Sequence, residues 1–410
     1  MSNGSYDAIV VGARCAGSPT AMLLARSGYR VLLVDKATFP SDTMSTHFIH
    51  PPGVSALARW GVLDQLEATN CPPVLRYSFD FGPITIEGSP RPAGDNATAY
   101  GPRRIVLDAL LVEAAAAAGV EVRTGFTVEE VLFDDDGRVT GIRGRAKGGA
   151  SVTEHARVVI GADGKHSVVA KAAAAERYHE VAPLQSGYYA YWSGLPADAF
   201  AIHVRAEDHR GWGTIPTHDG LTCVVVGWPH REFKANRKDV ERNYMQSFEL
   251  APQFADRMQG ATRESRFVGT RDLPNFFRKP YGPGWALVGD AGYHKDPITA
   301  FGISDAFRDA QALADGLDDV FAGRRAFEEA MADYQGARDR DALPVYGFTC
   351  EFARIEPPPL EMQQLLGAVS TQPAAMDDFV SVMAGTLPAP EFFAPENVGR
   401  IMGGAPAPVL

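Results

Sequence analysis

Apolar residues follow two rhythms along the chain. Residues 6–12, YDAIVVG, form a short apolar run rich in β-branched residues that ends in glycine. ARCAGSPTAMLLARSGY continues with helical character to Gly28, and VLLVDK is a second apolar run. Nearly continuous apolar strands flanking a helix predict a βαβ unit, because parallel strands are covered on both faces. VLDALLVEAAAAAG predicts a helix from about Ile105 to Ala118, stopped by Gly119. Residues 120–160 alternate as strands, with Asp136-Gly137 as a hairpin turn. From 185 to 228, GYYAYWSGL, AFAIHVRA, GWGTIPTHDG and LTCVVVGWP predict an antiparallel sheet, turned at Asp219-Gly220. Residues 284–323 return to strand–loop–helix. Beyond about 325 the chain reads as helix and then as proline-punctuated loop (Pro357–Pro359, Pro388, Pro390, Pro395), with a loose tail, GGAPAPVL. No repeat with a period of about 20–50 residues is visible.

Composition narrows the classes. The chain has 410 residues, 39 basic and 50 acidic, for a formal net charge of -11. That balance, with no Lys/Arg-rich block, excludes the electrostatic footprint of a nucleic-acid or anionic-membrane binder. No apolar run reaches the roughly 20 residues of a membrane helix, and the N-terminus lacks the basic region of a signal peptide. Cys15, Cys71, Cys223 and Cys350 lie far apart with no CxxC pair, so neither a disulfide framework nor a metal site is expected. The expectation is a cytoplasmic enzyme, monomer or homodimer, with a buried site.

Two segments carry chemistry. Gly12-Ala13-Arg14-Cys15-Ala16-Gly17 follows the first strand, and Asp35-Lys36 ends the second strand 18 positions after Gly17. A dinucleotide loop needs glycine for its tight turn and for close helix–strand packing, and the helix N-terminus offers free N–H groups to a diphosphate. Arg14 stands where the middle glycine is usual, so its side chain has to leave the backbone. Asp35 accepts from a ribose hydroxyl pair and disfavours a 2′-phosphate, which suits FAD. Read alone, the loop is also an ordinary strand–helix turn. In ALVGDAGYHKDPITAFGISDA, residues 286–306, Gly289-Asp290 ends an apolar strand and Pro297 and Gly302 precede a helix. That order places one carboxylate for a polyol chain and a helix N-terminus, whose dipole favours negative charge on a reduced flavin.

These segments, with GADG at 161–164, resemble the aromatic-hydroxylase-type FAD monooxygenases of the p-hydroxybenzoate hydroxylase-like fold. The likeness covers most of residues 6–320. It implies an α/β fold: a Rossmann-like FAD-binding domain (1–75, 100–180 and 270–325), an inserted antiparallel β-sheet substrate domain (76–99 and 181–269) and a helical C-terminal segment (326–410). By the same resemblance, Gly12, Arg14, Ala16, Gly17, Asp35 and Lys36 meet the ADP half of FAD. Asp290 meets the ribityl chain, and Pro297, Gly302 and Ile303 line the isoalloxazine. Arg104 matches the family's Arg-x-x-apolar-Asp pattern, with Arg103 not separable from it. Asp163-Gly164 matches a motif touching both FAD and NAD(P)H. The implied activity is NAD(P)H-consuming hydroxylation of an aromatic or polyketide-like small molecule by O₂ through a flavin C4a-hydroperoxide.

Related chemistries leave different marks. Flavin halogenases resemble the chain but use a lysine between the first and second flavin segments and a WxWxIP motif. Here no lysine occurs between Lys36 and Lys147, and the comparable stretch is GWGTIP, 211–216. Geranylgeranyl-reductase-like members carry a cysteine after the second strand, where this chain has PSDTMSTHFIH. A reductase or dehydrogenase without oxygen insertion is the first alternative, and a non-catalytic flavin carrier the second. His47, Tyr191 and Trp212 are the catalytic candidates, with Tyr189, His203, Thr214, Tyr293 and His294 further pocket residues. Each is also compatible with plain packing.

Overall fold

In a computed structural model, which describes residues 5–404, two eight-stranded sheets, two smaller ones and a helical C-terminal segment make one α/β architecture. The central sheet is parallel where it matters. Strand β1 (Tyr6–Val11), helix α1 (Gly17–Arg26) and strand β2 (Val31–Asp35) form the expected βαβ unit. Helix α2 (Pro51–Arg59) and helix α3 (Arg104–Ala117) come next, then β3 (Val152–Gly161), β4 (Trp285–Leu287) and the 20-residue helix α4 (Gly302–Phe321). The strands lie in the order β4–β3–β1–β2, with Glu121–Thr124 beside β2. Val11 stands opposite Gly161 and Val34, and Gly161 opposite Leu287, so the carboxyl ends of all four strands align. Alternate residues of β1 enter two cores. Ala8 and Val10 pack toward α1, α3 and α4, while Ile9 and Val11 pack toward Phe126, Ile142 and Trp285.

A second, mostly antiparallel sheet carries Gln185–Ser193, Thr222–Pro229, Arg210–Pro216 and Ala199–Arg205, joined at its edge by Arg76–Asp80 and Thr85–Gly88. Asp219 (φ +63) and Gly220 (φ +67) make the expected turn. Period-2 alternation gives this sheet two buried faces. Tyr188, Trp192, Trp212 and Trp228 pack on helices Val240–Phe248 and Pro252–Gln259, which the strand-like reading of 181–269 did not contain. Tyr189, Tyr191, Ile215 and Cys223 face the other way, toward Phe48, Tyr77 and Ala300.

The C-terminal segment corrects a second expectation. Several of its prolines open helices rather than loops: Pro373 and Pro395 stand at the first positions of Pro373–Met383 and Pro395–Gly403, and Pro388 caps Ala389–Phe392. Proline lacks the N–H that is unsatisfied at a helix start in any case. Phe379, Val380, Phe392 and Ile401 from these helices close the same core as Tyr189 and Tyr191. Of the tail, residues 405–410 lie outside the described residues.

Asp80 anchors the outer edge of the second sheet. It accepts from His203 Nδ1 at 2.9 Å and Arg205 Nη2 at 2.8 Å. Burial pushes its carboxyl up, but those hydrogen bonds outweigh it and hold the group well below the usual carboxylate range. A depressed carboxylate adds stability above its unfolded pKa of about 4 and loses it as pH falls through the folded value. Asp80→Asn therefore should cost about 1–3 kcal/mol at pH 7 in urea unfolding and flatten the acid limb. An unchanged midpoint at pH 7 counts against this anchor.

Candidate functional site

Four turns converge at the carboxyl edge of the parallel sheet. Gly12 has φ +105, and a Cβ there would stand 2.4 Å from the Ala162 carbonyl oxygen. Gly17 sits so close to the Gly12 carbonyl that a Cβ would reach it at 1.7 Å. Only glycine lets β1, α1 and the turn after β3 meet this closely. Ala16, which precedes α1 without a side-chain cap, also touches the Gly289 turn from the other side. Asp35 is buried at the end of β2. Its Oδ2 accepts the Ala13 N–H and its Oδ1 the Ala37 N–H, both at 2.7 Å, which pins the carboxylate against the glycine loop. Lys36 is exposed beside it.

Beneath the loop lies a fully buried carboxylate, Asp108. Arg104, also buried, donates to it through Nε at 3.0 Å and Nη2 at 3.1 Å. Arg14 pairs with the same carboxylate, and its other nitrogen reaches Ser41 Oγ at 3.0 Å. Cys15 Sγ adds a contact at 3.4 Å. Arg14 thus leaves the loop backbone open, as its place in the motif requires. The two neighbouring arginines now separate. Arg103 turns outward, pairs with Asp219 at 3.0 Å and lies over the Tyr191 ring at 5.3 Å.

Asp163 Oδ2 accepts the Val168 N–H at 2.6 Å, while its Oδ1 is buried without a partner and burial raises the carboxyl. Gly164 comes next at φ +81. Asp290 is exposed on the Gly289–Ala291 turn, and its charge acts on Arg104 and His294. Pro297 opens the turn Pro297–Thr299, Ala300 is left-handed, and Gly302 begins α4 with open space where a Cβ would stand. The Ile303 side chain points into the core, so its backbone is what faces the turn. Phe301 gives α4 no side-chain cap. Helix α4 leaves first-turn N–H groups for an anion or an electron-rich ring edge, whereas in α1 the Ser18 N–H is taken by the Arg14 carbonyl and Pro19 has none, which leaves Gly17. The glycine cradle, the orphaned Asp163 oxygen and the open Gly302 fit an elongated dinucleotide with a flat ring.

His47 lies among the rings of the second sheet's inner face, close enough to Arg104 for that charge to act on it. It is fully buried at φ +64, with Nε2 2.6 Å from the Tyr191 hydroxyl and Nδ1 without a hydrogen bond. Its ring meets Tyr189 and Tyr191 edge-on at 5.3 and 5.6 Å. Burial, reinforced by the Arg104 charge, lowers its pKa to about 3 and keeps the imidazole neutral. Trp212 corrects the sequence expectation: it faces the helices on the opposite side of the sheet, against Phe248 and Phe254. His203 stacks on it at 5.0 Å and belongs to the Asp80 anchor, and Thr214 shares that face by alternation. Tyr293 and His294 form a short strand against Phe276–Phe277 rather than a loop. The sequence reading missed the Cys15 contact and the hydrogen-bonded His50. The Arg-x-x-apolar-Asp spacing was the signal for Asp108.

A separate cavity of about 530 Å³ adjoins the turn after β3, lined by Lys165, His166, Lys171, Arg177 and Arg278 among others. Asp272 meets His166 Nε2 at 2.6 Å and Lys165 Nζ at 3.3 Å. Burial and the nearby Arg177 lower the Arg278 pKa to about 10. Among the described residues, no helix is long and apolar enough to cross a membrane.

Residues 5–346 match the family model described as FAD binding domain. The chain is 28% identical over 425 residues to a tryptophan 2-halogenase of Chondromyces crocatus, covering 98% of this chain and 79% of that protein. It is 28% identical over 346 residues to a 6-methylpretetramide 4-monooxygenase of Streptomyces rimosus, covering 82% and 80%. Among solved structures, a myxobacterial chondrochloren halogenase superposes with a TM-score of 0.79 at 23% identity, covering 98% of each chain. That likeness speaks to the fold.

Asp108 is the testable keystone of this geometry. Asp108→Asn should lower stability by about 3–5 kcal/mol, since it strands two guanidiniums in a buried setting. Urea unfolding of the cofactor-free protein measures it. A loss under about 1 kcal/mol would mean that Arg14 and Arg104 find other partners.

Proposed function

The chain belongs to the FAD binding domain family of FAD-dependent enzymes, and from that premise we propose that it is a monooxygenase hydroxylating an aromatic, phenol-bearing small molecule with electrons from NAD(P)H. The observation that carries the reading is the buried His47–Tyr191 pair among the rings of the second sheet's inner face. Bound FAD supplies electron transfer and oxygen activation, while the protein binds, orients and excludes water. In this reading the loop Gly12–Gly17, Asp35 and the Arg14–Arg104–Asp108 cluster hold the ADP half. Asp290 takes the ribityl chain, and Pro297–Ile303 receives the ring.

The chain's own residues then manage a proton. With Tyr191 donating to Nε2, the neutral His47 carries its proton on Nδ1, an unpartnered buried donor. A substrate oxygen seated there accepts that proton's hydrogen bond, and Tyr191, donating to Nε2 on the other side of the ring, fixes the tautomer that presents it. Tyr189, Phe48 and the C-terminal helices shield this pair from water. The basic cavity beside Asp163 offers Lys165, His166 and Arg278 to the phosphates of a nicotinamide coenzyme. This supports reduction without a separate flavin reductase.

Halogenation is the second reading, favoured by the match to a tryptophan halogenase over 98% of this chain and 79% of that protein. Against it stands the lysine-free stretch between Lys36 and Lys147. The buried lysine among the described residues, Lys295, has its ammonium held by Asp305.

Oxygen transfer is tested directly. Purified protein supplied with NAD(P)H, ¹⁸O₂ and a phenolic polycycle should yield product heavier by one labelled oxygen, with chloride or bromide present and not incorporated. Tyr191→Phe should lower that rate at least tenfold with flavin content intact. Halogenated product, or turnover only with an added reductase, overturns the reading.

Asp290→Ala should weaken FAD binding roughly 10- to 150-fold, the worth of one charge-assisted hydrogen bond. Arg278→Ala should raise the KM for NAD(P)H while leaving FAD affinity unchanged. Equal FAD affinity in the Asp290 variant assigns that carboxylate to the turn alone.

A further inference from the structure

His50 is fully buried directly before α2, yet its side chain takes no part in capping that helix. Its ring instead bridges two units. Nε2 lies 3.1 Å from the Thr299 carbonyl oxygen and Nδ1 lies 3.0 Å from the Tyr77 hydroxyl. A carbonyl only accepts, so Nε2 carries the proton and Nδ1 accepts from Tyr77. Burial lowers the imidazole's pKa to about 4, which keeps that neutral form in place. Both ring nitrogens are therefore satisfied and the tautomer is determined.

The two partners belong to different parts of the molecule. Tyr77 lies on Arg76–Asp80, next to the edge strand Thr85–Gly88 of the second sheet, and Thr299 lies in the turn that leads into α4. Two more contacts run from the same residue to that turn. The His50 ring stacks on Phe301 at 4.5 Å, and the His50 backbone N–H donates to Ser304 Oγ at 3.1 Å. The turn is held from two other sides, by Thr349 Oγ1 on Thr299 Oγ1 at 3.0 Å and by Asn275 Oδ1 on the Asp296 N–H at 2.7 Å. Of these holds, His50 alone leads back to the aromatic face of the second sheet, where Phe48 and Phe200 pack around it.

We propose that His50 is a positioning residue for the flavin. It sets the height of the Thr299–Ile303 backbone through the Thr299 carbonyl and Phe301, and ties that height to the second sheet through Tyr77. The proposal rests on the reading that this segment receives the isoalloxazine. A left-handed alanine, Ala300, joins the Pro297–Thr299 turn to α4, so loss of the His50 hydrogen bond to Thr299 would let this junction relax.

The test uses purified holoprotein and the variants His50→Leu, His50→Gln and Tyr77→Phe, with apo-protein melting curves to establish folding. His50→Leu should bind FAD about tenfold more weakly, shift the flavin midpoint potential and broaden the bound flavin's visible band toward that of free FAD. His50→Gln should recover most of the affinity and band shape, since its amide N–H reaches the carbonyl while its oxygen accepts from Tyr77. Tyr77→Phe should fall between them, and it decides the matter if His50→Leu does not fold. Wild-type affinity, potential and spectrum in His50→Leu, or in Tyr77→Phe where it stands alone, overturn the role. So does a Gln variant as impaired as Leu. Absence of FAD from the wild-type protein would instead sink the parent reading and is seen before any variant is made.

Discussion

Parallel pairing of β1 with β2 and β3, and of β3 with β4, is the constraint on which the rest depends. Parallel strands in register end together, so the turns after them must share one edge. Val11, Val34, Gly161 and Leu287 stand abreast, and each strand leads into a turn carrying a carboxylate or a glycine. Segments far apart in sequence become a single crevice without any of them reaching far. The crowding is severe enough that Gly12 and Gly17 tolerate no Cβ.

Charge has to be managed in that crowding. Asp108 answers both Arg14 and Arg104 from a position with no access to solvent, which costs desolvation that only charge-assisted pairing offsets. One carboxylate facing two guanidiniums leaves a positive surplus beneath the loop. In the proposed reading, a diphosphate at the N-terminus of α1 would neutralise that surplus and so couple cofactor binding to loop stability through the same side chains. The arrangement favours a loop shaped before its ligand arrives.

The second sheet divides its work between faces. One face is closed by its own helices and a wall of Trp and Phe. The other meets the crevice through Tyr189 and Tyr191 and is covered by the C-terminal helices. Burial keeps His47 neutral there, and its unpartnered nitrogen is costly because the surrounding rings exclude the water that would satisfy it. The same exclusion suits chemistry that water would divert. His50 connects this face to the turn before α4, so the two halves of the site are not independent.

Much of this was legible along the chain, where local physics suffices. Apolar runs ending in glycine announced β1, β2 and the turns after them, and the Asp136-Gly137 and Asp219-Gly220 turns came from backbone preference. The order of GARCAG, GADG and GDA carries the resemblance to flavoproteins in the sequence itself. What the chain alone left open depended on facing. Period-2 alternation says that Tyr191 and Trp212 lie in strands of one sheet, but not that their faces are opposite, because that depends on which helices pack on which side. Arg103 and Arg104 are adjacent and equally basic, and only the helical phase of α3 turns one onto Asp108 and the other toward Asp219. The prolines after 357 break a helix in its interior and favour one at its start. Which of these a proline does is decided by the core waiting to be covered, and that core exists only once the second sheet and α4 have met.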